Sequence, residues 1–368
     1  MSAISVLPYV SAIAPYQAGK PIDELAREFG LDPSSIIKLA SNENPRGMPE
    51  SARRAMAAVV PELGRYPDSN GFALKQALSA KLDVPVEWIT LGNGSNDILE
   101  LAAGALLAPG RSCVYSQHSF AVYALATQAR GARAIVAPAT NLAHNLEAML
   151  AAIAADTAVV YIANPNNPTG THLAASDVES FLARVPAHVV IVIDEAYNEY
   201  LPPERRPNSD LLAKKYSNVL LSRTFSKAYG LAGLRVGYGV AQPQLTDLLN
   251  RVRQPFNVNA VAQAAALAAL DDDHFLEESY RLNRAGMDRL AKGFRAMGLE
   301  FVPGFGNFLL VKVGAAASVY QQLLKQGVIV RPVANYGLPE WLRVTVGTET
   351  ENARFLSALA LAFEPARA

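Results

Sequence analysis

The sequence predicts an α/β protein: a large domain built on a mostly parallel seven-stranded sheet, and a smaller α+β domain at the C-terminal end. Three observations predict it. Between about residues 86 and 240, short β-branched runs alternate with helix-length segments. Several of those runs are apolar throughout, as in strands covered by helices on both faces. Beyond about residue 271 this alternation stops and a long amphipathic helical pattern begins.

Taken in order, the first 40 or so residues hold "PIDELAREFG" among many turn residues and read as an arm lying on one of the domains. The seven strand candidates are "VEWITL", "SCVYS", "ARAIVA", "TAVVYIA", "HVVIVID", "NVLLSR" and "RVGYGV". From Asp271 to Gly298 the apolar spacing predicts one long helix. "FLLVKV", a helix through "SVYQQLLKQG", "VIVRPV" and "WLRVTV" follow, and a last helix opens at Thr348 with Glu351 three residues on, a capping-box pattern. The expected units are residues 1–43 (an arm that is part of the small domain), 44–274 (the large domain) and 275–368 (the small domain).

Composition narrows the function classes. Hydrophobic residues make up 51% and charged residues 18%, which is globular composition. Lys+Arg and Asp+Glu balance at 33 each, so no net field favours nucleic acid or an anionic membrane. Five histidines and a single cysteine, Cys113, show no metal-ligand spacing, and a lone cysteine suits a reducing cytosol. The N-terminal stretch lacks the basic start and apolar run of a secretory signal. The most apolar helical stretch, Ala260 to Leu270, is too short to span a bilayer. The expectation is a cytoplasmic protein that binds neither metal, membrane nor nucleic acid.

In open α/β sheets, ligands bind beyond the carboxyl ends of the strands, and four stretches sit there. "SRTFSKAYGLAGLRVGY" puts Lys227 just after a strand, with Thr224, Ser226 and Arg235 able to surround an anionic group. A lysine amine forms Schiff bases once its pKa falls; alone, Lys227 reads equally as a solvated loop residue. In "TLGNGSNDILELAAGAL" a strand gives way through Gly92 and Gly94 to a helix at Ser95 and Asn96, an anion cup or an ordinary capped turn. "VVIVIDEAYNEY" ends an apolar strand on Asp194, costly as an anion without a cation nearby or else a cap for the next element, with Tyr197 three residues on. "IANPNNPTG" forces a rigid non-helical loop, in which Asn167 is either a donor or part of a turn chosen for shape.

Together and in this order, the chain resembles the fold-type I pyridoxal-phosphate aminotransferases, and within them the histidinol-phosphate branch. The resemblance runs through "APYQAGKPIDELAREFG", "KLASNENPRG", "RYPD", "GNGSNDIL", "NPNNPTG", "DEAY", the Lys227 motif with its arginine eight residues on, "VIVRPVANYG" and "LRVTVGT". It implies pyridoxal 5′-phosphate as cofactor, bonded to Lys227, which also shuttles the proton. Asp194 then pairs with the pyridine nitrogen, while Asn167 and Tyr197 hold the ring oxygen. Gly94, the main-chain N–H groups of Ser95 and Asn96, and Thr224, Ser226 and Arg235 take the phosphate. Tyr66 is expected to reach that phosphate from a neighbouring subunit, which implies a homodimer. Arg343 binds the carboxylate of the amino donor, Tyr16 and Arg331 the phosphate of histidinol phosphate, and Asn42 lines the site.

The implied reaction converts L-histidinol phosphate and 2-oxoglutarate into imidazole acetol phosphate and L-glutamate, in histidine biosynthesis. Two positions depart from the pattern: Phe120 sits where many relatives stack a tyrosine on the cofactor ring, and Phe256 where some have a tyrosine reaching the substrate phosphate. The second change opens the alternative of a broad aromatic amino acid aminotransferase. A non-enzymatic pyridoxal-phosphate regulator is the other alternative, disfavoured because no basic helix-turn-helix pattern is present.

Overall fold

Seven apolar runs pair edge to edge into one sheet: β1 (Ile89–Gly92), β2 (Ser112–Ser116), β3 (Arg133–Ala137), β4 (Thr157–Ala163), β5 (Val190–Asp194), β6 (Val219–Thr224) and β7 (Gly237–Val240). The computed structural model describes residues 4–16 and 19–363, so Gln17 and Ala18 of the "PYQAGK" stretch lie outside the described residues. The strand order is β1-β7-β6-β5-β4-β2-β3. Only β7 runs antiparallel, to β1 and β6 on either side; β2 to β6 pair in parallel.

Alternate residues of each central strand feed two cores. Val160 and Ile162 of β4 join Ile191, Ile193 and Leu221 on one face. Val159 and Tyr161 join Cys113, Val192 and Leu220 on the other, under the helix Ser95–Leu106. A sheet covered on both faces needs such uninterrupted apolar strands, and β4 is buried at all its positions. Parallel pairing brings the carboxyl ends of β1, β2, β4, β5 and β6 to one edge, and that edge carries the cleft described below.

A second core forms the small unit. The long helix Asp273–Ala296 and the last helix Glu349–Phe363 pack Leu290, Phe294, Phe355 and Leu359 against Leu309, Val311, Leu342 and Val344. These last four belong to a four-stranded antiparallel sheet. The capping box at the last helix is formed: Thr348 N–H donates to Glu351 Oε2 at 2.8 Å, and Glu351 N–H to Thr348 Oγ1 at 3.3 Å. The arm lies on this unit. Ile37–Lys38 pairs in parallel with Val328–Ile329, and Leu25 and Ala26 of the helix Ile22–Phe29 pack with Leu324 and Ile329.

Three predicted strands differ in extent. "VEWITL" begins as a 3₁₀ turn over Val86–Trp88, directly after Pro85, and extends only from Ile89. "RVGYGV" starts late because Arg235 has φ 57°, a left-handed turn that re-aims the chain before β7. "VIVRPV" is split, with Val328–Ile329 pairing to the arm and Arg331–Val333 to Leu338–Thr345.

Candidate active site

The carboxyl edge of the large sheet, the arm and the small sheet enclose one cleft. It is lined by Tyr16, Asn42, Ser95, Asn96, Phe120, Asn167, Asp194, Tyr197, Thr224, Ser226, Lys227, Arg235, Arg331 and Arg343, together with Gly19, Ala40, Ser41, Ala163, Pro165 and Ala196. Residues from nearly every motif singled out in the sequence therefore meet in one place. Gly94 stands directly behind it. Tyr66 and Phe256 do not line it; they stack on each other outside, ring centroids 4.7 Å apart, and Tyr66 is 82% exposed.

At one end is an anion cradle. The helix Ser95–Leu106 is capped by Gly94, at φ 80°, with no side chain occupying the cap. Its first-turn N–H groups and the positive end of its dipole therefore serve the cleft. Arg235 closes the cradle, donating from Nη1 to Ser226 Oγ at 3.2 Å and to the Ala232 carbonyl at 3.1 Å. A Cβ on Gly94 would stand 2.5 Å from Arg235 Nη2, and one on Gly237 would stand 2.6 Å from the Ser95 nitrogen. Both glycines let backbone and guanidinium close around a small anion.

Across the cleft floor, Asp194 terminates β5 and is 6% exposed. Burial pushes its carboxyl up to about 6, against the pull of hydrogen bonds from Tyr123 Oη to Oδ2 at 2.8 Å and from Ala196 N–H to Oδ1 at 3.2 Å. Next in the chain, Glu195 accepts from Arg223 Nε at 2.8 Å in a buried pair that ties the ends of β5 and β6 together.

Lys227 reaches into the cleft and donates from Nζ to the Ser41 carbonyl at 3.1 Å. Burial first, and then the Arg343 guanidinium, lower its amine to about 8. The setting suits a nucleophile or a base more than an ordinary surface lysine.

Tyr197 carries a phenol that burial pushes up to about 12, so it stays protonated. Asn42, at φ 56°, donates from Nδ2 to Tyr197 Oη at 2.8 Å. The amide orientation follows from its other partners. Thr345 Oγ1 accepts from the Asn42 N–H at 2.9 Å, which leaves its hydroxyl to donate to Asn42 Oδ1, also at 2.9 Å. Tyr197 Oη thus receives one bond and keeps its own proton to donate.

The small sheet supplies two guanidiniums. Arg331 and Arg343 are directly opposed in register on neighbouring antiparallel strands, and both are buried. Arg343 donates to Asn167 Oδ1 at 2.6 Å and to the Ala40 carbonyl at 2.5 Å, and its buried Nε has no partner among the described residues. Arg331 lies 5.7 Å from the centre of the Tyr16 ring.

Sequence reasoning missed Tyr123, Thr345 and the carbonyls of Ala40 and Ser41. None of these carried a signal in the sequence, because each meets its partner across a long stretch of chain. Among the described residues, no group of acidic, histidine or cysteine side chains could hold a metal, and no helix is long and apolar enough to cross a membrane.

Residues 34–359 match the family model for aminotransferase class I and II. Histidinol-phosphate aminotransferase 1 of Cupriavidus pinatubonensis is 66% identical over 355 residues, covering 95% of this chain and 94% of the relative. Histidinol-phosphate aminotransferase 2 of Ralstonia nicotianae is 63% identical over 364 residues, covering 98% and 97%. Among solved structures, the histidinol-phosphate aminotransferase of Sinorhizobium meliloti in complex with pyridoxal-5'-phosphate superposes with a TM-score of 0.90 at 28% identity, covering 98% of each chain. The chain belongs to the class I and II aminotransferases.

Proposed function

We propose that the chain is a pyridoxal 5′-phosphate-dependent aminotransferase that interconverts L-histidinol phosphate and 2-oxoglutarate with imidazole acetol phosphate and L-glutamate, a step of histidine biosynthesis. The observation that carries the substrate assignment is the opposed pair Arg331 and Arg343 on one sheet face of the cleft. Both guanidiniums line the cleft, and the buried Nε of Arg343 has no hydrogen-bond partner among the described residues; cations placed there suit a substrate carrying both a carboxylate or phosphate and an amine. The 66% and 63% identical relatives bearing the same activity in their names support the same choice.

The cleft fits the cofactor on its own chemistry. The cradle of Ser95, Asn96, Thr224, Ser226 and Arg235 suits a phosphate, and buried Asp194, with no cation among its hydrogen-bond partners, suits a protonated pyridine nitrogen. Phe120 would lie against the ring, and Asn167 and Tyr197 would hold its oxygen. When bound, pyridoxal phosphate supplies an aldehyde that takes up amino groups and a ring that accepts the electrons of a Cα–H bond.

The chain's own residues do the rest. Lys227 would hold the cofactor's aldehyde, and its amine, lowered to about 8 and facing the cleft, would serve as the base that moves the substrate proton. Arg343 fixes the donor carboxylate by charge-assisted bonds. Tyr16 and Arg331 would take the phosphate of histidinol phosphate, while the Tyr197 hydroxyl would donate a hydrogen bond to the ring oxygen. We take the working unit to be a cytoplasmic homodimer. The exposure of Tyr66 and its stacking on Phe256 support a role for that tyrosine in the neighbouring subunit's cleft.

The test compares kcat/KM for L-histidinol phosphate and L-phenylalanine in the wild type and in Arg331→Ala. We expect the wild type to favour histidinol phosphate strongly and Arg331→Ala to lose that preference while its phenylalanine turnover changes little. A wild-type preference for phenylalanine would move the role to aromatic amino acids, as the phenylalanine at position 256 allows.

A further inference from the structure

Tyr123 is buried completely, 71 residues from Asp194 in the chain, yet its hydroxyl donates to Asp194 Oδ2 at 2.8 Å. The ring is locked from several sides. It stacks on Tyr161 with centroids 4.7 Å apart and planes 4° from parallel, and it meets Phe120 edge-on at 6.0 Å. Tyr161 is itself pinned by a bond from its hydroxyl to the Leu99 carbonyl at 3.0 Å. No rotation of Tyr123 is available that would keep this packing and release the carboxylate.

Asp194 Oδ1 takes the Ala196 N–H, so the two donors occupy one site on each carboxylate oxygen and fix its plane. The titratable groups facing Asp194 are Tyr123 behind it, Tyr197 and Glu195 from its own segment, and Lys227 across the cleft. Tyr123 and Tyr197 are both pushed up by burial and remain protonated. Among the described residues, Tyr123 is the only side chain that donates a hydrogen bond to Asp194.

We propose that Tyr123 is a positioning residue that holds Asp194 as an oriented carboxylate for the pyridine nitrogen of the cofactor. This rests on the aminotransferase reading above. Without the hydroxyl, burial favours the protonated acid, which cannot stabilise a protonated ring nitrogen. Phe120 lines the cleft at the start of the helix that carries Tyr123, so one short segment serves both the ring face and the nitrogen's counter-ion.

The experiment measures cofactor dissociation by equilibrium dialysis, and the protonation of ¹⁵N-labelled pyridine nitrogen by NMR, in the wild type, Tyr123→Phe, Asp194→Asn and the double variant. The phenyl ring preserves the stack, and thermal unfolding of the cofactor-free protein checks that it does. A hydrogen bond to a charged group predicts weakening on the order of tenfold or more for Tyr123→Phe. The same variant should shift the nitrogen signal toward the unprotonated form. In the Asp194→Asn background the Tyr123→Phe change should cost nothing further, because no carboxylate remains to hold. Unchanged affinity and an unchanged nitrogen signal in Tyr123→Phe would overturn the inference, as would fully additive losses. If the wild type itself bound no cofactor, or Asp194→Asn bound it normally, the parent reading would fail instead.

Discussion

Replacing Lys227 with methionine should destroy the chemistry and yet stabilise the cofactor-free protein at neutral pH. Folding lowers the amine from 10.5 to about 8, which at about 1.4 kcal/mol per pH unit amounts to about 3 kcal/mol of opposition to folding. The amine faces the cleft, where water screens part of that cost, and methionine loses the bond to the Ser41 carbonyl. A net gain of about 2 kcal/mol for Lys227→Met at pH 7 is expected. The sign follows from proton counting. Between pH 8 and 10.5 the unfolded chain holds the proton and the folded one does not, so wild-type stability rises with pH there. The advantage of methionine is therefore full below pH 8 and vanishes by about pH 10.5. Urea unfolding of both proteins without cofactor, at one fixed concentration and across pH 7 to 10.5, measures it. A methionine variant less stable than the wild type at pH 7, or a difference that does not change with pH, would refute the argument.

Two further outcomes follow from the geometry. Arg343→Lys keeps a charge, but an ammonium with three donors cannot bond Asn167, the Ala40 carbonyl and both oxygens of a carboxylate together. Its kcat/KM for glutamate should fall by roughly a hundredfold, chiefly through KM, and a change within twofold would remove Arg343 from carboxylate binding. Gly237→Ala puts a methyl group 2.6 Å from the Ser95 nitrogen and 2.7 Å from the Arg223 oxygen. Displacing that backbone should cost about 1–3 kcal/mol in unfolding and weaken cofactor binding, whereas unchanged binding would mean that the cradle does not depend on this contact.

Much of this was legible before the fold. Uninterrupted apolar runs announce strands buried on both faces, and their carboxyl ends locate Lys227, Asp194 and Asn167 at one edge. The capping box at Thr348 is local chemistry and formed as written. What stayed hidden depends on neighbours distant in the chain. No periodicity in "QHSFAVY" says that Tyr123 meets Asp194, and none in "SNENP" says that Thr345 sets the amide of Asn42. The run "VIVRPV" looked like one strand because composition reports burial and not partners; it serves two sheets. The left-handed turn at Arg235 was likewise invisible, since arginine seldom adopts that backbone unless tertiary contacts hold it there.

If Lys227 carries the cofactor, the bond between them can be trapped. Reduction of the holoenzyme with borohydride would fix any imine-linked pyridoxal phosphate in place, and peptide mapping by mass spectrometry would locate it. We expect one cofactor per chain, on the peptide containing Lys227, and none in Lys227→Met. Label on another lysine such as Lys75, or no covalent label on a protein that binds the cofactor, would contradict it.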